Sequence, residues 1–224
     1  MTTPLSLTAA FLLSTTLGVP TAPPAAGNTV DPSAVSLYRQ TQQLLLDRIR
    51  GGVRAQVHLE LPDASVDDGF DEYVIDDLVR LREVRLHRES FVVGTGYCNR
   101  VDDGEFKCRQ IEEVELGIRP IHDDRVYRAL ASESPCGASM CRQIDVEERD
   151  NDAETLDFVE SLGAVPDPTS HYAFRLLIRA DGLPYSFEEV RLNADGLIEP
   201  RATFTFDYST PVGAIRLPIE PPAI

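Results

Sequence analysis

Alternating apolar residues in the last third of the chain constrain its fold more than any other feature. In the run HYAFRLLIRA, which begins at His171, every second residue is apolar, and both arginines belong to the other set. A period of two places the two sets on opposite faces of a β-strand. The run RATFTFDYS, which begins at Arg201, alternates in the same way. We therefore predict that His171–Pro218 is an antiparallel meander with one apolar face, whose last strand is the short run GAIRLP.

A hairpin is predicted at Asp181-Gly182, between the first two strands of this meander. Asp-Gly is a favoured pair for a two-residue primed turn, in which both residues have positive φ. Folding the chain there places Leu176 opposite Phe187. Beyond Phe187 the apolar phase slips by one residue, and a β-bulge at Glu188-Glu189 would bring Val190 back opposite an apolar partner. With that bulge the hairpin has an apolar face along its whole length.

The first third of the chain predicts a helix followed by a strand. Asp31-Pro32 has the form of a helix start, an acidic N-cap before a proline, and Gly51-Gly52 ends the helical spacing of apolar residues. The run from Val53 to Leu61 then alternates as a strand. The acidic stretch at 61–72 predicts a solvated loop, because it lacks the glycine and the closing glutamate of an EF-hand calcium loop.

The middle of the chain gives less definite patterns. Residues 73–88 fit a helix in their first half and a strand in their second half. Residues 90–98 predict a strand, and residues 111–118 predict another. Residues 154–163 predict a short helix that ends at Gly163. Together with the meander, these elements predict an α+β domain.

Four cysteines are most simply paired in sequence order. A three-residue turn at 102–104 would place Cys98 directly opposite Cys108, while Cys136 and Cys141 bracket a tight loop. Of the three possible connectivities, this one joins local neighbours. A zinc site of four thiolates is an alternative, although the first pair is spaced more widely than structural zinc knuckles. Free thiols are the third possibility, and disulfides would indicate an oxidising compartment.

The first 26 residues predict a signal peptide. Residues 5–19 form an apolar run that is too short and too polar to span a bilayer comfortably, and small residues and prolines follow it. The usual basic residues before such a run are missing, so a disordered N-terminus is the alternative. The first cysteine is Cys98, so no lipid-anchoring cysteine follows the run. We expect an exported protein of the periplasm, cell envelope or exterior, not an integral membrane protein, with one domain over residues 27–224.

The charge balance and the missing motifs argue against several functions. The 224 residues contain 37 acidic and 21 basic side chains, a formal net charge of −16. Nucleic acids and anionic membrane surfaces select lysine and arginine, so neither is an expected partner. The four histidines are scattered, Ser139 lacks the second glycine of a nucleophile elbow, and no glycine-rich phosphate loop is present. We therefore expect no catalytic residue, no metal and no cofactor.

The end of the chain contains the runs ADGLPYSFEEVRL and ATFTFDYSTPVGAIRLP and a proline-rich finish. These pieces resemble the closing strands of the lipoprotein-carrier superfamily, which includes the LolA and LolB carriers and the LppX and LprG-type envelope proteins. The resemblance implies a curved antiparallel sheet, an incomplete β-barrel covered by a few helices, whose concave apolar face holds acyl chains. An ordinary sheet with a filled core is the alternative.

The function that this resemblance implies is an exported binding or carrier protein for a lipid or another hydrophobic ligand in the cell envelope. The residues expected to line the ligand site are apolar and lie on predicted strand faces: Val57, Leu59, Phe174, Leu176, Phe187, Phe204 and Phe206. A sensor or protein-interaction domain of the MucB/RseB type, which acts on another envelope protein in sigma-factor regulation, is the first alternative. The second is an exported structural domain whose acidic surface maintains solubility.

Overall fold

One helix and thirteen strands make up the described part of the chain. A computed structural model describes residues 29–111, 116, 118–149, 170–193, 195–197 and 200–221. The predicted signal peptide (1–26) and the predicted helix at 154–163 lie outside these residues. The helix α1 spans Pro32–Ile49. The strands are β1 (Thr29–Val30), β2 (Val53–Glu60), β3 (Val66–Ile75), β4 (Val79–Val84), β5 (Arg88–Val93), β6 (Gly96–Val101), β7 (Lys107–Gln110), β8 (Val126–Cys136), β9 (Ser139–Arg149), β10 (His171–Ile178), β11 (Pro184–Asn193), β12 (Gly196–Leu197) and β13 (Arg201–Asp207).

The strands form one open sheet. Their order across it is β1-β8-β9-β10-β11-β13-β2-β3-β4-β5-β6-β7, and β12 lies beside β11. In the described residues every strand pair is antiparallel except β1 with β8. Because β1 and β7 stand at opposite ends of this order, the sheet is not closed into a barrel. The predicted fold class, an α+β domain built on an incomplete antiparallel barrel, is confirmed.

Helix α1 begins and ends as the sequence predicts. The carboxylate of Asp31 accepts a hydrogen bond of 2.8 Å from the backbone N–H of Ser33, which caps the N-terminus. At the other end Gly52 has φ +84°, a conformation that favours glycine. One side of the helix is buried, and it carries Ala34, Val35, Tyr38, Thr41, Leu45 and Ile49. We call the sheet face under α1 the inner face and the opposite one the outer face.

Residues 61–88 contain more strand than the sequence predicts. The acidic loop is reduced to the turn at 61–65, and β3 begins at Val66. The stretch 73–88 completes β3 and then forms β4, so a helix there is wrong. Pairing with β2 on one side and β5 on the other favours the extended chain, and local sequence does not reveal such tertiary pairing.

Three further segments differ from their predictions. Residues 126–149 form the long hairpin β8–β9, of which the sequence indicated only the tight loop. In the predicted strand at 111–118, the described residues Ile111, Leu116 and Ile118 are not in a strand. Instead the described residues 116 and 118–121, which we call the crossing segment, contribute buried side chains to the core under α1. The run GAIRLP is also not a strand.

The hairpin between β10 and β11 has the predicted pair but a different turn. Leu176 lies opposite Phe187 as predicted. The loop is one residue longer than predicted, with Gly182 at φ +84° donating its N–H to the carbonyl of Arg179 at 3.0 Å. The irregularity in the register falls beside this loop, between Leu177 and Ile178, and not at the predicted position. Since no bulge interrupts the pairing beyond Phe187, Glu189 and not Val190 lies opposite Phe174.

Candidate functional site: the inner face of the sheet

The seven predicted ligand-site residues lie together on the inner face. Val57 lies opposite Phe204, Phe204 opposite Phe187, and Phe187 opposite Leu176. These four residues make an apolar row across β2, β13, β11 and β10. The other three flank the row on the same face: Leu59, Phe174 and Phe206. Six of the seven are buried, and Leu59 is partly buried against the same core.

Helix α1 covers this apolar row. The ring of Tyr38 meets the ring of Phe187 edge-on, with centroids 6.4 Å apart. Phe174 stacks with Phe187 at 6.3 Å, and Tyr172 stacks with Phe174 at 6.1 Å. Such aromatic pairs add stabilisation beyond the burial of their surface. In this state the helix occupies the space over the row, so a ligand reaches the row only if α1 or the crossing segment moves.

The crossing segment is joined to α1 by hydrogen bonds to its backbone. The hydroxyl of Tyr38 donates to the carbonyl of Arg119 at 2.8 Å. The side-chain amide of Gln42 donates to the carbonyl of Ile118 at 3.0 Å. Net hydrogen-bond contributions are about 1 kcal/mol each, so a few such bonds are weak compared with the apolar burial around them. The two hydrogen bonds therefore orient the crossing segment against α1, while apolar burial supplies most of the stability of this contact.

An ion pair with a buried carboxylate joins the crossing segment to the sheet. The guanidinium of Arg119 donates to Glu189 at 2.7 Å and lies 3.7 Å from the centroid of the Tyr172 ring. The Glu189 side chain is only 3% exposed. Burial opposes the charge on Arg119, but Glu189, Tyr172 and Glu148 together outweigh that effect and keep the pKa of Arg119 above its ordinary value. The pair lets β11 present a carboxylate to the inner face.

Glu148 lies close to this ion pair. It is 1% exposed and accepts a hydrogen bond from the backbone N–H of His122. Burial raises the pKa of Glu148 above its ordinary value, while the His122 bond and Arg119 act in the opposite direction. Burial also raises the pKa of Tyr38, with further contributions from Glu189 and Glu148. We call these four groups, Tyr38, Arg119, Glu148 and Glu189, the polar end of the inner face.

A second buried charge cluster lies under β3 and β4. The guanidinium of Arg85 donates to Asp71 at 2.6 Å, and the hydroxyl of Tyr73 donates to the same carboxylate at 2.9 Å. Glu83 lies directly opposite Asp71 in the strand pair. Burial raises the pKa of Glu83, and the charge of Asp71 raises it further. Burial likewise raises the pKa of Asp71, although Arg85 opposes that shift.

The polar end differs from the prediction because a buried charge replaces the expected apolar residue. Uninterrupted alternation from Phe187 places Glu189 on the inner face, whereas the predicted bulge places Val190 there. Arg119 compensates that carboxylate from a position 70 residues away. No pattern around Arg119 in the sequence indicates that it pairs with a buried carboxylate.

The cysteines pair in sequence order. Cys98 is bonded to Cys108 and Cys136 to Cys141. Cys98 also lies opposite Cys108 in the β6–β7 register, as the sequence predicts. Among the described residues, no group of three or more histidine, cysteine, aspartate or glutamate side chains is arranged to hold a metal ion. The described part of the chain also contains no helix with the length and apolar character needed to cross a bilayer.

Comparison with known proteins finds similarity in structure alone. No protein-family model and no curated protein matches this sequence. The solved structure of MucB aligns with 85% of this chain at 13% identity and a TM-score of 0.48. A chain of the Pseudomonas aeruginosa MucA/MucB complex aligns with 78% at 15% identity and a TM-score of 0.43. A lipoprotein-sorting domain from Vibrio parahaemolyticus aligns with 81% at 5% identity and a TM-score of 0.32.

These neighbours are of the two kinds that the resemblance named, the MucB type and a lipoprotein-sorting domain. This protein covers 64% of the MucB chain and 55% of the aligned chain of the complex, less than two thirds of the length of either. It covers 94% of the lipoprotein-sorting domain. Because the TM-scores are below 0.5, the function proposed next depends on the geometry of this chain.

Proposed function

We propose that this chain is an exported, non-enzymatic binding protein that takes up a lipid or another apolar ligand on the inner face of its open sheet. The observation that carries the proposal is the apolar row Val57–Phe204–Phe187–Leu176, which crosses four strands of a sheet that is not closed. Ligand sites of this kind bind mainly through apolar burial, with a few polar groups that set orientation.

The cover over this row suits a site that opens. One helix and the crossing segment lie over it, and the described hydrogen bonds between them include only two from α1 side chains to the segment's carbonyls. Lifting α1 exposes a continuous aromatic and aliphatic surface. An acyl chain laid on that surface would replace the apolar contacts that α1 gives up, at about 25 cal/mol for each Å² of apolar surface buried.

The polar end supports an amphipathic ligand. Arg119 and Glu189 lie beside Phe174 and Tyr172, so a polar head group at that end would meet charged partners while its tail followed the row. We include Leu59 and Phe206, which flank the row, among the lining residues. Two disulfides support export, since disulfides persist in oxidising compartments, and so does the signal peptide predicted at residues 1–26 from the apolar run at 5–19.

Fluorescence quenching tests the proposal directly, because the natural sequence contains no tryptophan. Phe204→Trp places a single tryptophan in the row, and Thr205→Trp places one on the outer face of the same strand. We expect dibrominated stearic acid to quench the first variant and not the second. Equal quenching of both, or quenching of neither, would contradict binding on the inner face. Leu176→Trp and Leu177→Trp repeat the comparison on β10 if Phe204→Trp does not fold.

Native mass spectrometry of the secreted protein, before and after organic extraction, would identify the ligand. A bound mass that extraction removes supports the carrier function. A protein that stays empty when offered fatty acids and phospholipids would favour the interaction domain instead. One observation favours that second candidate: two apolar side chains are well exposed near each other. Leu86, between β4 and β5, is 69% exposed, and Val101, the last residue of β6, is 57% exposed. A hydrogen bond from the Asp102 N–H to the His87 carbonyl joins the two places.

A further inference from the structure

Residues 211–221, which we call the strap, lie along the outer face of the sheet. The carbonyl of Ile215 accepts a hydrogen bond from Arg80 on β4 at 3.3 Å, and the Ile215 side chain is buried. Two open grooves flank the strap. One, of about 290 Å³, lies against Glu72, Arg82 and Phe91. The other, of about 490 Å³, lies between the strap and the strands β4 to β7.

The strap packs closely against Gly96, a glycine on β6. A Cβ placed on Gly96 would lie 2.5 Å from Leu217 Cδ1 and 3.3 Å from Pro221 Cγ, both closer than ordinary contact. The backbone at Gly96 does not have positive φ, so only space and not conformation requires glycine there. In contrast, a Cβ on Gly213, within the strap itself, would have no neighbour within 4 Å among the described residues.

The strap covers one of the two disulfides. Cys98 follows Gly96 by two residues and therefore lies on the same face of β6. Its side chain has 0% exposure, and the carbonyl oxygen of Ile219 lies 3.3 Å from its Sγ. Cys108, its partner, is half-buried. The other bridge, Cys136–Cys141, lies in the β8–β9 hairpin at the other end of the strand order.

We propose that Cys98–Cys108 is a thiol–disulfide exchange site, reactive toward a small dithiol or the dithiol of a protein, and that the strap controls access to it. A thiolate of the dithiol attacks Cys108 Sγ, the S–S bond breaks, and Cys98 Sγ receives the electron pair and a proton. The second thiol then attacks the mixed disulfide and releases Cys108 as a thiol. The dithiol ends as a disulfide, so two electrons and two protons pass to the protein.

While the strap is in place, it slows attack of a thiolate on either sulfur of the bridge. Attack on Cys98 is blocked because that sulfur is fully covered. Attack on Cys108 must generate a thiolate at Cys98, and the Ile219 carbonyl oxygen beside that sulfur disfavours a negative charge. A leaving thiol with a higher pKa leaves more slowly. Once the strap lifts, both obstacles disappear together.

Site-resolved reduction of the full-length oxidised protein tests this proposal. The protein is exposed to dithiothreitol under native conditions, quenched with acid, alkylated, and analysed by peptide mass spectrometry for each cysteine. A side chain at position 96 requires Leu217 to shift, and we expect the larger valine of Gly96→Val to unseat the strap. Gly213→Val adds the same side chain where space is open among the described residues. We expect Gly96→Val to accelerate reduction of Cys98–Cys108 by about tenfold or more, with Gly213→Val like the wild type.

The second bridge serves as an internal control. Its reduction rate is expected to be the same in all three proteins. Equal acceleration of both bridges in Gly96→Val would indicate general loosening and overturn the proposal, as would an unchanged rate at Cys98–Cys108. If Gly96→Val does not fold, Leu217→Ala, which removes the side chain that rests on Gly96, must give the same selective acceleration, and an unchanged rate there overturns the proposal.

Discussion

At the scale of single residues, buried charges set the chemistry of the inner face. Asp71 and Glu83 face one another across β3 and β4, and Arg85 pairs with Asp71 at 2.6 Å. The hydroxyl of Tyr73 donates a hydrogen bond to Asp71. The positive charge of Arg88 on β5 lowers the pKa of both carboxylates, against the effect of burial. Since two adjacent carboxylates share one close guanidinium, ionising both is unfavourable in the folded protein.

Glu83→Gln is expected to stabilise the protein near neutral pH. Burial raises the pKa of Glu83 in the folded state, so the folded protein binds this proton more tightly than the unfolded chain does. That contribution is complete below the unfolded pKa of about 4.3 and is lost as the pH rises through the raised folded pKa. The unfolding free energy, measured with urea, should therefore decrease less between about pH 5 and about pH 7 in Glu83→Gln than in the wild type.

Glu105→Gln is the matched control, because it removes an exposed carboxylate near the β6–β7 turn. We expect its change in unfolding free energy between the two pH values to match that of the wild type. A Glu83→Gln variant with the same pH dependence as the wild type would contradict a raised pKa at Glu83.

Arg119→Met is expected to destabilise the fold by about 2–3 kcal/mol, because the buried carboxylate of Glu189 loses the partly buried cation that it pairs with. Adding Glu189→Leu to Arg119→Met should recover most of that loss, since apolar replacements of buried ion pairs are often neutral. Urea unfolding of the two single variants and the double variant measures the coupling. Additive effects of the two substitutions would show that the ion pair contributes no coupling.

At the scale of elements, a glycine allows β4 to end against β3. A Cβ on Gly69 would lie 1.8 Å from the carbonyl oxygen of Val84, so any side chain there clashes with backbone. The close approach lets the chain after β4 fold inward, and Arg85 thereby reaches Asp71. A backbone atom cannot give way as the end of a flexible side chain can.

Gly69→Ala is therefore expected to lower the unfolding free energy by about 1–3 kcal/mol, the usual cost of overpacking. Gly213→Ala, where a Cβ meets nothing within 4 Å, should change it by less than about 0.5 kcal/mol. Thermal and urea unfolding of both variants provide the comparison. Similar stabilities for the two variants would contradict the close packing of β3 on β4.

At the scale of the whole molecule, a formal net charge of −16 acts on the folded state. Like charges repel one another more strongly in a compact chain than in an unfolded one, and salt screens that repulsion. We expect the midpoint of urea unfolding to rise when NaCl increases from about 0.02 M to about 0.5 M. A falling midpoint would mean that screened surface ion pairs, such as Arg39–Asp123, outweigh the repulsion.

The sequence by itself determined the features that depend on neighbouring residues. Alternation placed Leu176 and Phe204 each on the apolar face of its own strand. The N-cap at Asp31 marked the start of α1, and a short hairpin aligned Cys98 with Cys108. Each follows from periodicity, capping or a local turn, which a few adjacent residues specify. The antiparallel meander and the fold class followed from these patterns.

Only the tertiary structure decided where distant segments meet. Glu189 faces inward because Arg119, 70 residues away, supplies its countercharge, and no local rule gives the energy of that burial. The segment at 73–88 became strand because neighbours on both sides pair with it. The strap lies on Cys98, 121 residues from Ile219, because Gly96 leaves room for it. In each case the favourable contact forms between chain segments far apart in sequence, so local propensity cannot encode it.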